Sequence, residues 1–194
     1  MWLLLGLFGV ALSYGSSRDL DKFFQKSCER LQELVIVNLQ RQTEMLQQIL
    51  ESKQTGKAPY NVAVGRLVSQ SSEYPTQLYP PSNAIEGSTH KFTHTNWQKQ
   101  PYWWIDLDNM YKIVRVEIFN RPDCCGEYIH DMDVTVGPSL NEMRHCVHYS
   151  GTARTGEHLV LQCTNSLTGR FVKLSINNDN AAIQLGEVKV FTYD

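Results

Sequence analysis

The stretch Tyr111-Lys112-Ile113-Val114-Arg115-Val116-Glu117-Ile118-Phe119-Asn120, followed at once by Arg121-Pro122-Asp123-Cys124-Cys125-Gly126-Glu127, decides the reading of this chain. Its first part is dense in β-branched and aromatic residues, which suit a pleated, half-buried strand. Its second part is a turn, marked by Pro122 and Gly126 and carrying two adjacent cysteines. The same texture repeats outward. Val62 to Val68, Trp103 to Leu107, Met132 to Gly137, Leu159 to Gln162, Phe171 to Ile176 and Glu187 to Tyr193 all read as short strands between turn residues. No helical pattern of about 10–15 residues separates them, which excludes a parallel α/β sheet. The expected fold is all-β, a jelly-roll β-sandwich over residues 58–194.

The chain ahead of this domain is built differently. All seven prolines lie from Pro59 onward, and Ser16 to Thr55 holds neither glycine nor proline. Asp19 to Gln54 is rich in the helix formers Leu, Gln, Glu and Lys. Acidic Asp19 and Asp21 suit the positive end of a helix dipole, and Lys53 and Lys57 suit the other end. Phe24, Cys28, Leu31, Val35, Asn38, Gln42, Met45 and Ile49 follow one another at alternating steps of four and three, a heptad seam with two amides in its middle. The expectation is a helical oligomerisation segment over 18–57, a coiled-coil stalk pairing copies of the chain through residues 19–54. Packing of the helix on the following domain is the alternative. Further upstream, Met1 to Tyr14 is uncharged and apolar for about the length of a signal-peptide core, with small residues at Gly15, Ser16 and Ser17. Residues 1–17 therefore read as a signal peptide of a secreted, extracellular protein with no membrane span.

Composition narrows the function classes. The net charge is -2 over 194 residues, so no basic field for nucleic acid is present. Catalytic signatures are missing. His90 and His94 stand four apart without the glutamate of a zinc-protease helix, and no nucleophile elbow or phosphate loop occurs. His145, His148 and His158 read as surface residues, and Trp97, Trp103 and Trp104 as core or rim. The chain is expected not to be an enzyme.

Five cysteines leave one over when paired within a chain. In an oxidising compartment Cys124 and Cys125 are either two thiols or a strained eight-membered ring, and secretion favours the ring. Cys146 and Cys163 enclose about 18 residues, and a bridge there adds roughly 3 kcal/mol by restricting the unfolded chain. Cys28 remains, on the helix seam, where copies in a parallel oligomer face each other. An interchain disulfide is expected there.

The turn resembles the signature of the F-type lectins, the fucolectin or tachylectin-4 family: a His, 26 residues, then Arg-x-Asp, four residues, then Arg or Lys. His94 lies 27 positions before Arg121, leaving 26 residues between them, and Asp123 follows in place; the final basic position holds Tyr128 instead. The likeness runs from about Asn61 to Tyr193. It takes in Asn83-Ala84-Ile85-Glu86-Gly87, Trp103-Trp104-Ile105-Asp106-Leu107, Gly169-Arg170-Phe171-Val172 and Gly186-Glu187-Val188-Lys189-Val190, elements shared with discoidin-like domains.

The resemblance implies a discoidin-like jelly roll that binds terminal L-fucose on fucosylated glycans, in recognition of microbial or self glycans. It implies that His94 and Arg121 donate to the sugar and that Asp123 orients Arg121. Cys124 and Cys125 would form a flat apolar plate for the sugar methyl, and Tyr128 would stand where the second basic donor belongs. It implies a structural Ca2+ held by Asn83, Glu86, Ser88, Gly186 and Glu187. Many members also bridge two cysteines at the positions of Phe92 and Gly186. The alternative function is a discoidin-like adhesion module whose sugar site has altered at Tyr128.

On non-reducing electrophoresis the secreted chain is expected to run as a disulfide-linked dimer, and Cys28→Ser to return it to the monomer position. A wild-type monomer band would refute the interchain bond.

Overall fold

A computed structural model describes residues 17–55, 58–75 and 77–193. The expected signal peptide therefore lies outside the described residues, apart from Ser17. The chain divides into two units, Met1–Gln54 and Thr55–Asp194, each described here by itself.

In the second unit the order is β1 (Tyr60–Asn61), β2 (Leu67–Gln70), a 3-10 turn at Pro81–Ile85, β3 (Thr93–His94), β4 (Tyr102–Phe119), a 3-10 turn at Gly126–Tyr128, β5 (His130–Gly137), β6 (Arg144–Thr152), β7 (His158–Ile176), β8 (Gln184–Leu185) and β9 (Glu187–Thr192). The larger sheet runs β1-β9-β4-β7-β5-β6, with β2 added to β4; β3 and β8 form a small second sheet. Every pairing is antiparallel.

Strand β4 explains the architecture. Its first half pairs with β2 and its second half with β9, while β7 runs beside it throughout. Register shifts fall between Asp106 and Tyr111 and between Ile113 and Arg115. Trp103, Ile105, Leu107 and Ile113 reach the core before the second shift, Val116 and Ile118 after it. One extra residue in a strand flips the side-chain alternation and bends it. The inward set therefore passes from odd to even numbers while staying in one core. The neighbouring strands of the same sheet add Met132, Val134 and Val136 of β5, Val172, Leu174 and Ile176 of β7, and Val188 and Val190 of β9 to this core.

Three expectations are corrected. Val62 to Val68 is not one strand: Gly65, at φ +71°, turns the chain between β1 and β2. The paired runs Trp103 to Leu107 and Tyr111 to Asn120, and Leu159 to Gln162 and Phe171 to Ile176, each merge into one long bent strand. Strand β6 went unread because its outward positions are polar and exposed, leaving Cys146 as its one buried side chain.

Cys146 and Cys163 form a disulfide that ties β6 to β7. A bidentate pair, Arg170 Nε and Nη2 donating to the two oxygens of Asp106 at 2.5 and 2.6 Å, joins β7 to β4.

Among the described residues of the first unit runs the helix α1 (Ser17–Thr55). Its apolar rows are open in the single chain: Phe24, Leu31, Val35, Met45 and Ile49, and also Ile36, Leu39, Leu46 and Leu50, are about half exposed or more. Cys28 is exposed and outside any disulfide of the chain. No helix among the described residues is long and apolar enough to cross a membrane.

Replacing both Cys146 and Cys163 by alanine is expected to lower the stability of the β unit by about 3 kcal/mol, read from urea unfolding without reductant. A loss below about 1 kcal/mol would show that this loop is already ordered in the unfolded chain.

Candidate functional site

The site is built where the turn after β4 meets the small sheet. Pairing of β3 with β8 sets His94 opposite Gln184. Gln184 is buried, and its Oε1 accepts from Arg121 Nη1 at 3.0 Å. Arg121 Nε and Nη2 donate to Oδ1 and Oδ2 of Asp123 at 2.7 and 2.6 Å. The guanidinium carbon also lies 3.7 Å from the centre of the Phe92 ring. A guanidinium has five N–H donors. Three serve these bonds and fix its plane, so the others have set directions.

Asn120 holds the turn itself. Its Nδ2 donates to the carbonyls of Gly126 and Arg154 at 2.9 and 3.0 Å, and its Oδ1 accepts the Arg121 N–H at 2.9 Å. Gly126 is required, because a Cβ there would come within 2.1 Å of the Thr155 nitrogen. Cys124 and Cys125 are joined in a disulfide, and Cys125 has φ +61°, a left-handed backbone that costs a non-glycine residue energy. Tyr128 follows on the 3-10 turn, its N–H donating to the Cys125 carbonyl at 3.2 Å.

His94 is buried among rings. Tyr74 stacks on it at 4.4 Å, and the Tyr128 ring meets it edge-on at 6.3 Å. Nδ1 lies 2.5 Å from the Thr95 carbonyl oxygen. A carbonyl only accepts, so Nδ1 carries the proton. Burial pushes the His94 pKa below its ordinary 6.5; the bond to Thr95 opposes this, and the charge on Arg121 adds to it. The ring is therefore neutral near pH 7, and Nε2 offers a lone pair. The hydrogen bonds from Arg121 hold the Asp123 carboxyl at about 2, so the Arg121–Asp123 pair stays charged through the physiological range.

Against this geometry the relatives can be placed. Fucolectin-1 of Anguilla japonica is 33% identical over 142 residues, which are 67% of this chain and 79% of the relative. The chain belongs to the fucolectin, or F-type lectin, family. Fucolectin-6 of the same organism is 33% identical over 121 residues, 58% of this chain and 65% of the relative, just under two thirds of its length. A family model described as a NedA-like galactose-binding domain matches residues 83–174. The crystal structure of a fucolectin from Morone saxatilis serum is 28% identical, with a TM-score of 0.66. It covers 70% of this chain, and the chain spans about half (49%) of that one.

Within this F-type lectin the structure joins Arg121 to Asp123 directly, and Tyr128 to His94 and to the cysteine turn. Phe92 and Gly186 occupy positions that carry a disulfide in many family members. Here Phe92 stacks on Tyr79 at 4.8 Å and lies under Arg121. A Cβ at Gly186 would come within 2.8 Å of the Phe119 carbonyl oxygen. Asn120, Gln184 and Phe92 hold the site without having been read as site residues. Asn120 had a signal, a buried-type amide closing a strand beside Arg121. Gln184 had none, because its partner lies 63 residues away.

Of the expected calcium residues, Glu187 and Glu86 come together beside Gly87. Glu187 is buried, and its Oε2 accepts the Gly87 N–H at 3.0 Å. Burial pushes its carboxyl above the ordinary range; Gly87 and Lys189 pull it back, and Glu86 adds to the rise. Glu86 pairs with Lys91 at 2.8 Å. Asn83 donates to the carbonyls of Leu78 and Phe92, and Ser88 Oγ accepts the His90 N–H. A buried carboxylate beside a second acid, among hydroxyl and carbonyl oxygens, fits a hard divalent cation. Among the described residues no three His, Cys, Asp or Glu side chains group to hold a metal, so carbonyl oxygens must complete such a site. His145 and His148 instead pair with Asp133, and His158 with Glu117.

The lowered pKa of His94 makes a pH prediction. Below about 6.5 the unfolded chain takes up a proton that the folded chain refuses, so the unfolded state binds more protons and stability rises with pH there. The contribution of His94 is full above about 6.5 and is lost as pH falls towards the lowered value. Urea midpoints are expected to fall between pH 7 and 5.5, and less steeply in His94→Gln; equal slopes would sink this assignment.

Proposed function

We propose that this chain is a secreted lectin that binds terminal L-fucose or a closely related sugar, one site per chain, and is made multivalent by pairing of α1 helices. The observation that carries the reading is the preset pair of His94 and Arg121, its turn closed by the Cys124–Cys125 disulfide. A neutral sugar is dense in hydroxyls, and the remaining N–H groups of Arg121 donate to them. Nε2 of neutral His94 accepts from a hydroxyl, a polarity opposite to the donor role that the family resemblance implies. The disulfide presents an apolar face to the C6 methyl, which separates a deoxy sugar from its hydroxylated relatives. Asp123 keeps Arg121 in plane.

Tyr128 brings one hydroxyl where a charged donor would bring several. Loss of a charged hydrogen bond costs about 1.5–3 kcal/mol, or roughly 10- to 100-fold in affinity. A weak single site makes the helix useful, because linked sites gain about 10²–10⁴ in avidity. The disulfides accord with an oxidising, extracellular setting. Calcium would be held by Glu86, Glu187, Ser88 and the backbone of Asn83 and Gly186, and would neutralise the buried Glu187 carboxylate. The rival reading, an adhesion module with an altered sugar site, draws on Tyr128 alone.

The folded chain in calcium is expected to be retained on a fucose column and released by free fucose, with Arg121→Ala passing through. Passage of the folded wild type would overturn the fucose reading. Calcium over chelator is expected to raise the Tm. Glu187, with its raised pKa, stabilises the fold at acid pH and loses that contribution as pH rises through the folded value. Glu187→Gln should therefore raise the Tm in chelator at pH 7 and abolish the calcium response; an unchanged response would remove Glu187 from the site.

A further inference from the structure

We propose that Trp97 and Tyr128 form a second subsite, which takes the sugar ring to which the terminal deoxy sugar is attached. The inference rests on the fucose-type reading of the first subsite and adds the class of glycan: a neutral disaccharide end rather than a single sugar.

The Trp97 side chain is large, apolar and 51% exposed. Its ring meets that of Tyr128 at 5.0 Å and 71°. Tyr128 in turn meets His94 at 6.3 Å and 86°. An unbroken aromatic run therefore leads from the buried His94 to an open indole at the rim. Both ends of the run are held by backbone. Gln98 and Ala181 exchange N–H to carbonyl bonds at 2.9 and 3.0 Å, and the Asn96 N–H donates to Ser72 Oγ at 3.0 Å, fixing the chain on either side of Trp97. Tyr128 sits on the 3-10 turn that starts at the cysteine pair. The backbone is therefore preset where a ligand would dock, which lowers the ordering cost of stacking there.

The chemistry selects the occupant. A terminal deoxy sugar is attached through its anomeric carbon to another pyranose, so a second ring must lie beside the first. Pyranoses such as galactose carry a patch of C–H groups on one face. A flat aromatic surface with a polar tip, as in Trp and Tyr, complements an apolar face bordered by hydroxyls. The exchange of a basic residue for Tyr128 then has a use. It gives up a charged donor to the first sugar and supplies a ring that bridges His94 to Trp97. Recognition moves from the monosaccharide towards the disaccharide.

The test uses soluble monovalent ligands on the full chain, so that avidity plays no part. By titration calorimetry, 2′-fucosyllactose is expected to bind about tenfold more tightly than methyl α-L-fucoside, a step of 1.4 kcal/mol. Trp97→Ala should bring the ratio close to one, and Trp97→Phe should keep most of it. Tyr128→Arg should tighten the methyl fucoside and shrink the ratio. Circular dichroism confirms that each variant is folded. A wild-type ratio near one, or a ratio unmoved by Trp97→Ala, overturns the second subsite and leaves the first standing. If neither ligand binds the folded wild type, both readings fall.

Discussion

The guanidinium of Arg121 is the constraint on which this architecture turns. Its side chain is 10% exposed, and a charge so far from water is stable only when paired and hydrogen-bonded. The partners come from three places in the chain. Asp123 lies two residues on, Gln184 lies in β8, and Phe92 precedes β3. One buried charge therefore locks the turn, the small sheet and the loop before it into a single geometry. The direct carboxylate contact is the strong part, since bidentate charged bonds exceed neutral ones about twofold. Because Asp123 keeps its charge to about pH 2, the geometry does not soften where the protein would work. A site that must grip a ligand without charge benefits from such rigidity.

The sequence made part of this visible, for physical reasons that differ from place to place. Trp103 to Leu107 and Tyr111 to Phe119 announced themselves through β-branched and aromatic density, which buried strands require. Their union into one strand was hidden, because the bulge near Val114 depends on two neighbouring strands at once. Strand β6 was hidden because an edge strand needs little apolar pattern. The Arg121–Asp123 pair was legible since both residues lie in one turn, whereas Gln184 and Phe92 were not, because only the fold carries them there. His94 is legible from the motif spacing, whereas the proton on its Nδ1 follows only from the Thr95 carbonyl that the fold sets beside it.

Phe92 and Gly186, where the family resemblance implies a cysteine pair in many members, link the two clusters. A disulfide there would restrain the unfolded chain; a ring stack stabilises only the folded one. Phe92 gives Arg121 an aromatic face, where an attraction of about 0.5–2 kcal/mol is available. Gly186 frees the chain to pass close to Phe119, and the next residue, Glu187, is thereby buried. Its strained protonation follows from that burial. The two positions thus stand next to the buried Glu187 carboxyl and beneath the Arg121 guanidinium.

The same reasoning bears on why α1 carries amides in its seam. Asn38 and Gln42 interrupt two apolar blocks, Phe24 to Val35 and Met45 to Ile49. A polar seam position lowers stability but fixes register and strand number. In the proposed pairing through α1, register would matter more than strength, because avidity is lost when geometry forbids two sites from engaging together. A fully apolar seam would hold more tightly yet permit slipped or mixed assemblies with sites at varying spacing. In that proposed stalk the two amides would hold a fixed spacing of sites at some loss of helix pairing energy.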